Sequence, residues 1–245
     1  MKVNIQRDGL NLVGELTTPD SDNYNLVILM HGFTGNKDSD LHLTLANALR
    51  ENGVASLRFD FNGHGESDGL MRNMTIDNEI ADGKAVLDYV KTLPEVNDIY
   101  LLGHSQGGVV ASMLAGYYPA DFKKLVLMAP AATLKTDAQQ GRCIDATFDP
   151  HNIPNEVVVN GYDIDGFYFR TAQQVPIYEV ASHYNGEVLL IHGDSDTVVD
   201  PVASKTYHEK YQHSTLEILP GATHSFDVPY LEPAVKKAVD FITAQ

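Results

Sequence analysis

The chain has 245 residues, 43% of them hydrophobic, which suits a globular protein with one large buried core. Its 33 acidic side chains against 17 basic ones give a formal net charge of −16, so nucleic acid and anionic membranes are poor partners. The single cysteine, Cys143, excludes an internal disulfide, and no run of about 18 apolar residues predicts a transmembrane helix. Since the start of the chain also lacks the apolar core of a signal peptide, we expect a soluble, cytoplasmic protein.

After an opening hairpin, predicted strands and helices alternate along the chain. Short apolar runs bounded by turn residues predict strands over residues 3–5, 10–16, 26–30, 54–59, 99–102, 125–128, 188–191 and 216–219. Apolar residues at helical spacing predict helices over residues 41–51, 76–93, 108–118, 203–211 and 231–242. Because strands without polar alternation are buried on both faces, this order predicts an α/β fold with a mostly parallel, doubly wound sheet.

Residues 131–184 interrupt this alternation. The stretch is too long for a simple connection, and it contains a valine run at 157–159 and an aromatic run at 167–169. We interpret it as a small cap that folds over the active edge of the sheet and is not independent enough to be a domain. The sequence therefore predicts a single domain over residues 1–245, with a cap inserted at about 131–184.

The most informative motif is Gly103-His104-Ser105-Gln106-Gly107, because a predicted strand precedes it and a predicted helix follows it. Strand, Gly-x-Ser-x-Gly and helix in this order are typical of a nucleophile elbow, a sharp turn that raises the serine hydroxyl above the sheet. The two glycines omit side chains that would clash in such a turn. We therefore predict that Ser105 is a catalytic nucleophile.

A serine nucleophile needs a neighbouring base, and an acid must orient that base. In this architecture the chain order is serine, then acid, then histidine. Among ten histidines, His31 and His192 end predicted strands, and His104 lies within the elbow. His224 lies between the last strand and the last helix, in a loop on the strand-end face where ligands gather, and it is the predicted base.

Three aspartates after strand 188–191 compete for the role of the acid. Asp200 precedes Pro201 and a helix, so it is the better candidate for a helix cap. Asp194 directly follows Gly193, where forming the turn is the usual role of an aspartate. Asp196 precedes an apolar run and can point inward. We favour Asp196 and keep Asp194 as the alternative.

The negative charge that develops during acyl transfer needs backbone donors. One donor is expected to be the N–H that follows the nucleophile, that of Gln106, and the other should come from a loop after an earlier strand. His31-Gly32-Phe33-Thr34-Gly35 follows strand 26–30 and is that loop. We predict that the N–H groups of Phe33 and Gln106 form the oxyanion hole.

These motifs, with Arg58–Asp68, resemble the serine hydrolases of the α/β-hydrolase fold over nearly the whole chain. More narrowly, Gly103–Ser112 and Ala129–Lys135 resemble bacterial cinnamoyl (feruloyl) esterases. Gly166–Arg170 and Ala172–Glu179 match the inserted cap of that family. The cap match is the most specific, because enzymes of many activities share the core motifs.

In that family, an aspartate after the Ala-Ala-Thr-Leu-Lys run and the tyrosine of the Gly-Phe-Tyr segment hydrogen-bond the phenolic hydroxyl of the substrate. The resemblance therefore implies these roles for Asp137 and Tyr168. It also implies a serine carboxylesterase that hydrolyses feruloyl, p-coumaroyl and caffeoyl esters through an acyl-enzyme. No metal or organic cofactor is expected, and the expected partner is a small-molecule ester.

Other functions stay open at this point. A lipase- or monoacylglycerol-type esterase would use the same machinery with an aliphatic pocket, and a thioesterase or acyltransferase would share the fold. From another class, a ligand-binding protein without catalysis is conceivable, but the set Ser105, Asp196 and His224 argues against it. The sequence does not decide whether the chain forms a homodimer.

Overall fold

The structure is a computed structural model that describes residues 1–244. Its strands are β1 (Lys2–Arg7), β2 (Leu10–Thr17), β3 (Tyr24–Met30), β4 (Ala55–Phe59), β5 (Val96–His104), β6 (Lys124–Met128), β7 (Arg142–Cys143), β8 (Ala146–Thr147), β9 (Glu156–Val159), β10 (Tyr162–Asp165), β11 (Glu187–Gly193) and β12 (Ser214–Leu219). Eight of them form the central sheet in the order β1-β2-β4-β3-β5-β6-β11-β12. The hairpin β1–β2 and the pair β2–β4 are antiparallel, and the other pairs are parallel.

Helices cover both faces of this sheet. They are α1 (Asp40–Glu51), α2 (Ile76–Val90), α3 (Gln106–Tyr117), α4 (Leu134–Gln139), α5 (Gly166–Ala172), α6 (Ile177–Ala181), α7 (Val202–Lys210) and α8 (Leu231–Thr243). Buried side chains of α1 and α8 pack on one face, and those of α2, α3, α6 and α7 pack on the other. The predicted α/β fold with a mostly parallel, doubly wound sheet is therefore confirmed. Within residues 1–244, no helix is long and apolar enough to cross a membrane.

Strand β3 shows why the predicted strands have no polar alternation. Leu26, Ile28 and Met30 join the apolar layer under α2 and α3, whereas Val27 and Leu29 join the layer under α1 and α8. Successive strand side chains point to opposite faces, so a strand covered on both faces must be apolar at every position.

The ends of most predicted elements differ from the structure by one or two residues, and the largest shifts, of three residues, are at α2 and β5. Helix α2 ends at Val90, three residues before the predicted end, because Thr92 and Leu93 donate to the carbonyls of Tyr89 and Val90 in tight turns. Strand β5 begins three residues earlier and ends two residues later than predicted, since β3 and β6 pair with it from both sides. Pairing between strands thus extends β5 beyond its most apolar stretch.

The inserted segment between β6 and β11 has two parts. Strands β7 to β10 and α5 surround an apolar cluster separate from the main core, with buried members Met74, Val157, Val159, Ile164, Tyr168 and Phe169. Helix α6 packs instead into the main core through Ile177 and Val180. Its backbone lies so close to α3 that a Cβ on Gly116 would be 2.0 Å from the Val180 carbonyl oxygen. The cap therefore has a small core of its own, whereas α6 belongs to the helical layer of the sheet.

Candidate active site

Ser105 lies in the turn between β5 and α3 with a φ of 56°, in the left-handed region that a serine rarely adopts. The turn is very tight. A Cβ on Gly103 would lie 2.2 Å from the Gly107 carbonyl oxygen, and one on Gly107 would lie 2.3 Å from the His31 carbonyl oxygen. The Ser105 N–H donates to the Met128 carbonyl at the end of β6 (2.9 Å). The two glycines therefore permit the turn, and β6 fixes its position.

His224 and Asp196 lie beside this serine. His224 Nε2 is 2.9 Å from Ser105 Oγ, and His224 Nδ1 is 2.7 Å from Asp196 Oδ2. His104 Nε2 donates to the His224 backbone carbonyl (2.9 Å), which ties the loop after β12 to the elbow. Burial lowers the pKa of His104 to about 3, so this neighbouring ring stays neutral. The base and acid predicted from the sequence are thus brought together with the nucleophile.

Asp196 is held in the loop after β11 by several donors. Its Oδ1 accepts the backbone N–H groups of Val198 and Val199, both at 2.8 Å, and its carboxylate is fully buried. Burial alone would raise the pKa of Asp196, but hydrogen bonds from His192 and His224 outweigh burial and hold it well below its usual range. The group facing His224 is therefore a carboxylate anion.

The other two aspartates of this loop have backbone partners elsewhere. Asp194 Oδ1 accepts the Gly221 N–H (2.6 Å) and the Ser195 hydroxyl (3.1 Å). Asp200 Oδ1 accepts the Val202 N–H at the start of α7 (2.8 Å), so it caps that helix. Of the three competing aspartates, Asp196 is the one that contacts His224.

The loop after β3 lies directly against the nucleophile. A Cβ on Gly32 would lie 2.9 Å from Ser105 Cβ, so a larger residue would push the loop away. The N–H groups of Phe33 and Gln106 donate no hydrogen bond to another group in residues 1–244. Two free backbone donors next to a serine can stabilise an oxyanion. In the described part of the chain, no three His, Cys, Asp or Glu side chains are arranged to hold a metal ion.

Two cavities meet at Ser105. The cap-side cavity encloses about 60 Å³ between the elbow and the inserted segment, and its walls include Phe33, Leu134, Cys143, Ile144, Tyr168 and Val199. It adjoins a groove of about 700 Å³, which shares Asp137 and Val198 with it. Burial raises the pKa of the Cys143 thiol to about 12, so this wall of the cavity is uncharged at neutral pH.

The loop-side cavity, of about 340 Å³, lies on the other side of Ser105. Beside His224 and the loop after β3, it is lined by the polar side chains Asn36, Ser39, Asp40, Ser225 and Asp227. A further groove, of about 790 Å³ between β1 and α2, includes none of the predicted site residues. The two cavities at Ser105 are therefore the ones that chemistry at this serine can use.

Asp137 and Tyr168 both line the cap-side cavity. Asp137 Oδ1 accepts a hydrogen bond from Arg142 Nε–H (2.8 Å) and also lies 2.8 Å from Arg142 Nη2. The Tyr168 hydroxyl is buried and donates to Gln106 Oε1 (2.7 Å). Burial raises the pKa of Tyr168 well above its usual range, so the hydroxyl keeps this proton. The Tyr168 oxygen is thus left to act as an acceptor.

A family model described as "Serine aminopeptidase, S33" matches residues 21–179, more than half of the chain. The chain belongs to this family of serine hydrolases. Its fold, with the elbow between β5 and α3, is the α/β-hydrolase fold shared by the structural relatives.

Among solved structures, this serine hydrolase is similar to "Ferulic Acid bound to Est1E from Butyrivibrio proteoclasticus". The two are 35% identical with a TM-score of 0.95, over 98% of this chain and 97% of that one. Among curated proteins, it is 25% identical to "Serine hydrolase BPHL" of Homo sapiens over 88% of this chain and 78% of the relative. It is 24% identical to "Monoacylglycerol lipase" of Mycolicibacterium smegmatis over 96% of this chain and 92% of the relative. The resemblance to feruloyl esterases is therefore confirmed.

Sequence reasoning about this serine hydrolase missed one buried group below the elbow. Glu79 of α2 is almost fully buried, and its Oε2 accepts the Gln106 side-chain amide (2.9 Å). Burial raises the pKa of Glu79 well above its usual range. The available signal was a carboxylate on the apolar face of the predicted helix, between Ile76 and Gly83. Because Glu79 accepts from the Gln106 amide nitrogen, it turns the amide oxygen toward Tyr168.

Proposed function

We propose that the protein is an esterase that hydrolyses hydroxycinnamate esters through an acyl-enzyme on Ser105. The observation that carries the proposal is the position of Ser105, hydrogen-bonded to His224 at the mouth of a cavity that contains Asp137 and Tyr168. The 35% identity to a protein whose structure holds ferulic acid supports the same acyl group.

The proposed reaction begins when Ser105 Oγ attacks the ester carbonyl carbon while His224 Nε2 takes the hydroxyl proton. The N–H groups of Phe33 and Gln106 stabilise the oxyanion of the tetrahedral intermediate. As that intermediate collapses, the carbon–oxygen bond to the alcohol breaks, and the departing oxygen receives the proton from His224. Asp196 keeps the Nδ1–H tautomer of His224 and balances its transient positive charge.

In the second half-reaction, a water molecule gives its proton to His224 and attacks the carbonyl carbon of the acyl-enzyme. The same backbone donors stabilise the second oxyanion. When this intermediate collapses, Ser105 Oγ leaves and recovers the proton from His224, and the free acid is released. Each group thus returns to its starting protonation state.

Hydrogen-bond polarity in the cap-side cavity supports a hydroxylated aromatic acid. Arg142 occupies Asp137 Oδ1, and Oδ2 has no partner among residues 1–244. The Tyr168 hydroxyl gives its proton to Gln106, so its oxygen offers only lone pairs to a ligand. Both groups can therefore accept a hydrogen bond from a phenolic hydroxyl. A cinnamoyl group without this hydroxyl leaves them unpaired, at a cost of about 1–3 kcal/mol, or roughly 5- to 150-fold in kcat/KM.

The test compares kcat/KM for the methyl esters of p-coumarate, cinnamate and 4-methoxycinnamate, with methyl octanoate as the aliphatic reference. We expect p-coumarate to lead, because the 4-methoxy group retains the oxygen but cannot donate. Equal rates for p-coumarate and 4-methoxycinnamate would contradict hydroxyl recognition. A clear preference for the octanoate would favour the lipase-type alternative, which the monoacylglycerol lipase relative represents.

A further inference from the structure

A second histidine contacts the carboxylate that faces His224. His192 is the second-last residue of β11, and its Nε2 lies 3.2 Å from Asp196 Oδ2 and 3.0 Å from the Val199 carbonyl oxygen. The His192 ring is fully buried. Asp196 Oδ2 therefore lies between two imidazoles, and the proposed reaction uses only one of them, His224.

The partners of the His192 ring fix its tautomer. Nε2 faces two oxygens that can only accept, Asp196 Oδ2 and the Val199 carbonyl, so Nε2 must carry the proton. In the neutral ring Nδ1 is then an acceptor, and the hydroxyl of Ser204 on α7 lies 2.7 Å from it. The Ser204 hydroxyl thus donates to Nδ1. Every polar atom of this buried ring has a partner that matches the tautomer.

We propose that His192 is a positioning residue, whose Nε2–H holds the Asp196 carboxylate in the orientation in which Oδ2 accepts Nδ1–H of His224. The inference rests on the proposed function, since it matters only if His224 is the base. The Val198 and Val199 N–H groups fix Oδ1, and His192 fixes Oδ2 from inside the fold. The carboxylate can then neither rotate nor draw back when the charge on His224 changes.

Three features indicate that His192 positions Asp196 and does not only pack in the core. Asp196 is fully buried, so water does not replace a lost donor at low cost. The pKa of Asp196 lies well below its usual range although burial raises it, and the hydrogen bond from His192 is the largest of the opposing effects. Ser204 connects the ring to α7, so two elements beneath the site hold the carboxylate.

The experiment compares His192→Phe, which keeps a ring but loses the donor, with His192→Gln, whose amide can donate from a similar position. With p-nitrophenyl acetate, we expect His192→Phe to lower kcat on the order of 10-fold or more, with KM nearly unchanged. His192→Gln should recover most of the loss. The low-field proton resonance of His224 Nδ1–H should shift or broaden in His192→Phe and be retained in His192→Gln.

The matched serine pair tests the same contact from the other side of the ring. Ser204→Ala should lower kcat by a few-fold, because His192 then lacks its Nδ1 partner. Ser112→Ala is the control, since Ser112 is equally buried and bonds Tyr207 (2.8 Å), away from Asp196. Equal effects of the two serine variants, or equal losses in the Phe and Gln variants of His192, would overturn the proposal.

If His192→Phe does not fold, nitrogen NMR of the wild type decides. A proton on His192 Nε2 supports the positioning role, and a proton on Nδ1 overturns it. Failure of the proposed function would look different. Wild-type protein that neither hydrolyses p-nitrophenyl acetate nor binds a fluorophosphonate at Ser105 would refute the esterase, while the His192 tautomer would still report on the contact with Asp196.

Discussion

The cap-side cavity and the loop-side cavity share Ser105 but are built from different parts of the chain. Most walls of the cap-side cavity come from the inserted segment, whereas the loop-side cavity is formed by the loops after β3 and β12. The first combines apolar walls with the acceptors Asp137 and Tyr168, and the second carries the exposed carboxylates Asp40 and Asp227. Under the proposed function, selectivity for the acid and for the alcohol of an ester should therefore be separable by mutation.

Ser105 lines both cavities, so its loss should lower activity on all esters, whichever cavity binds the acid or the alcohol. Ser105→Ala should lower kcat by at least about 10³-fold on methyl p-coumarate and on p-nitrophenyl acetate alike, because the attacking oxygen is lost, and the fold should stay intact, because only the hydroxyl is removed. Steady-state kinetics measures the loss, and circular dichroism checks that the fold is retained. More than a tenth of the activity on either ester would contradict the role of Ser105.

The next largest effect should come from Asp196, which contacts His224, the proposed base for every ester. Asp196→Asn should lower kcat by at least about 10²-fold, since an amide no longer fixes the tautomer of His224. Asp194→Asn is the matched control and should stay within a few-fold, because Asp194 bonds Gly221 instead. Kinetics on the same two esters measures both variants. A larger loss in Asp194→Asn would transfer the role of the acid to Asp194.

The two cavities also differ in how far the sequence predicts them. Ser105 and the flanking Gly103 and Gly107 are specified locally, because a strand, a sharp turn and a helix follow one another within a short stretch. His224 and Asp196 follow from the order of strands, since loops at the carboxyl ends of parallel strands share one edge of the sheet. Periodicity thus predicts the mostly parallel, doubly wound sheet and most of its elements, whereas the α/β-hydrolase fold follows from the elbow motif and the resemblance.

The cap could not be predicted in the same way. The sequence implied Asp137 and Tyr168 only through resemblance, and it did not show that Tyr168 donates to Gln106 or that Glu79 holds the Gln106 amide. The first contact joins residues that are 62 positions apart in the chain, and the second joins residues that are 27 positions apart. The residues involved lie on three different helices, α5, α3 and α2. Likewise, the sequence places His192 at the end of a predicted strand but does not show its contact with Asp196. Hydrogen bonds between side chains depend on packing distances that no periodic pattern contains.

The cap-side cavity is tested by removing its two acceptors. Asp137→Ala combined with Tyr168→Phe should erase the preference for p-coumarate over cinnamate esters, a loss of roughly 5- to 150-fold in the kcat/KM ratio. Small p-nitrophenyl esters should be largely spared, because they do not reach the cap. Since Tyr168 also bonds Gln106, the rate on p-nitrophenyl acetate shows whether the oxyanion donor has been disturbed.

Asp145→Ala is a control for this double variant, because Asp145 lies in the same segment but bonds the Asn160 N–H (2.9 Å). It should leave the hydroxyl preference unchanged. If the double variant keeps the preference, recognition of the hydroxyl lies outside the cap-side cavity, and the contrast between the two cavities no longer describes acyl selectivity.

The smallest expected effect concerns charge on the alcohol. Among its lining residues in the described part of the chain, the loop-side cavity has Asp40 and Asp227 and no lysine or arginine. An alcohol that carries a carboxylate should therefore react more slowly than the same alcohol with that group converted to a primary amide. Because both carboxylates are exposed and screened, we expect a ratio of about 2 to 5 at low salt that disappears near 0.5 M salt.

Asp40→Asn combined with Asp227→Asn should remove this ratio and leave the p-coumarate preference intact. Asp20→Asn combined with Asp22→Asn adds the same charge change in the exposed loop before β3, at the opposite edge of the sheet, and should leave the ratio unchanged. The measurement is kcat/KM for the ester pair at two salt concentrations. If both double variants lower the ratio equally, the net charge of −16 steers the substrate from a distance, and the loop-side cavity does not contact the alcohol. If only the first does, the two cavities divide the ester between them at Ser105.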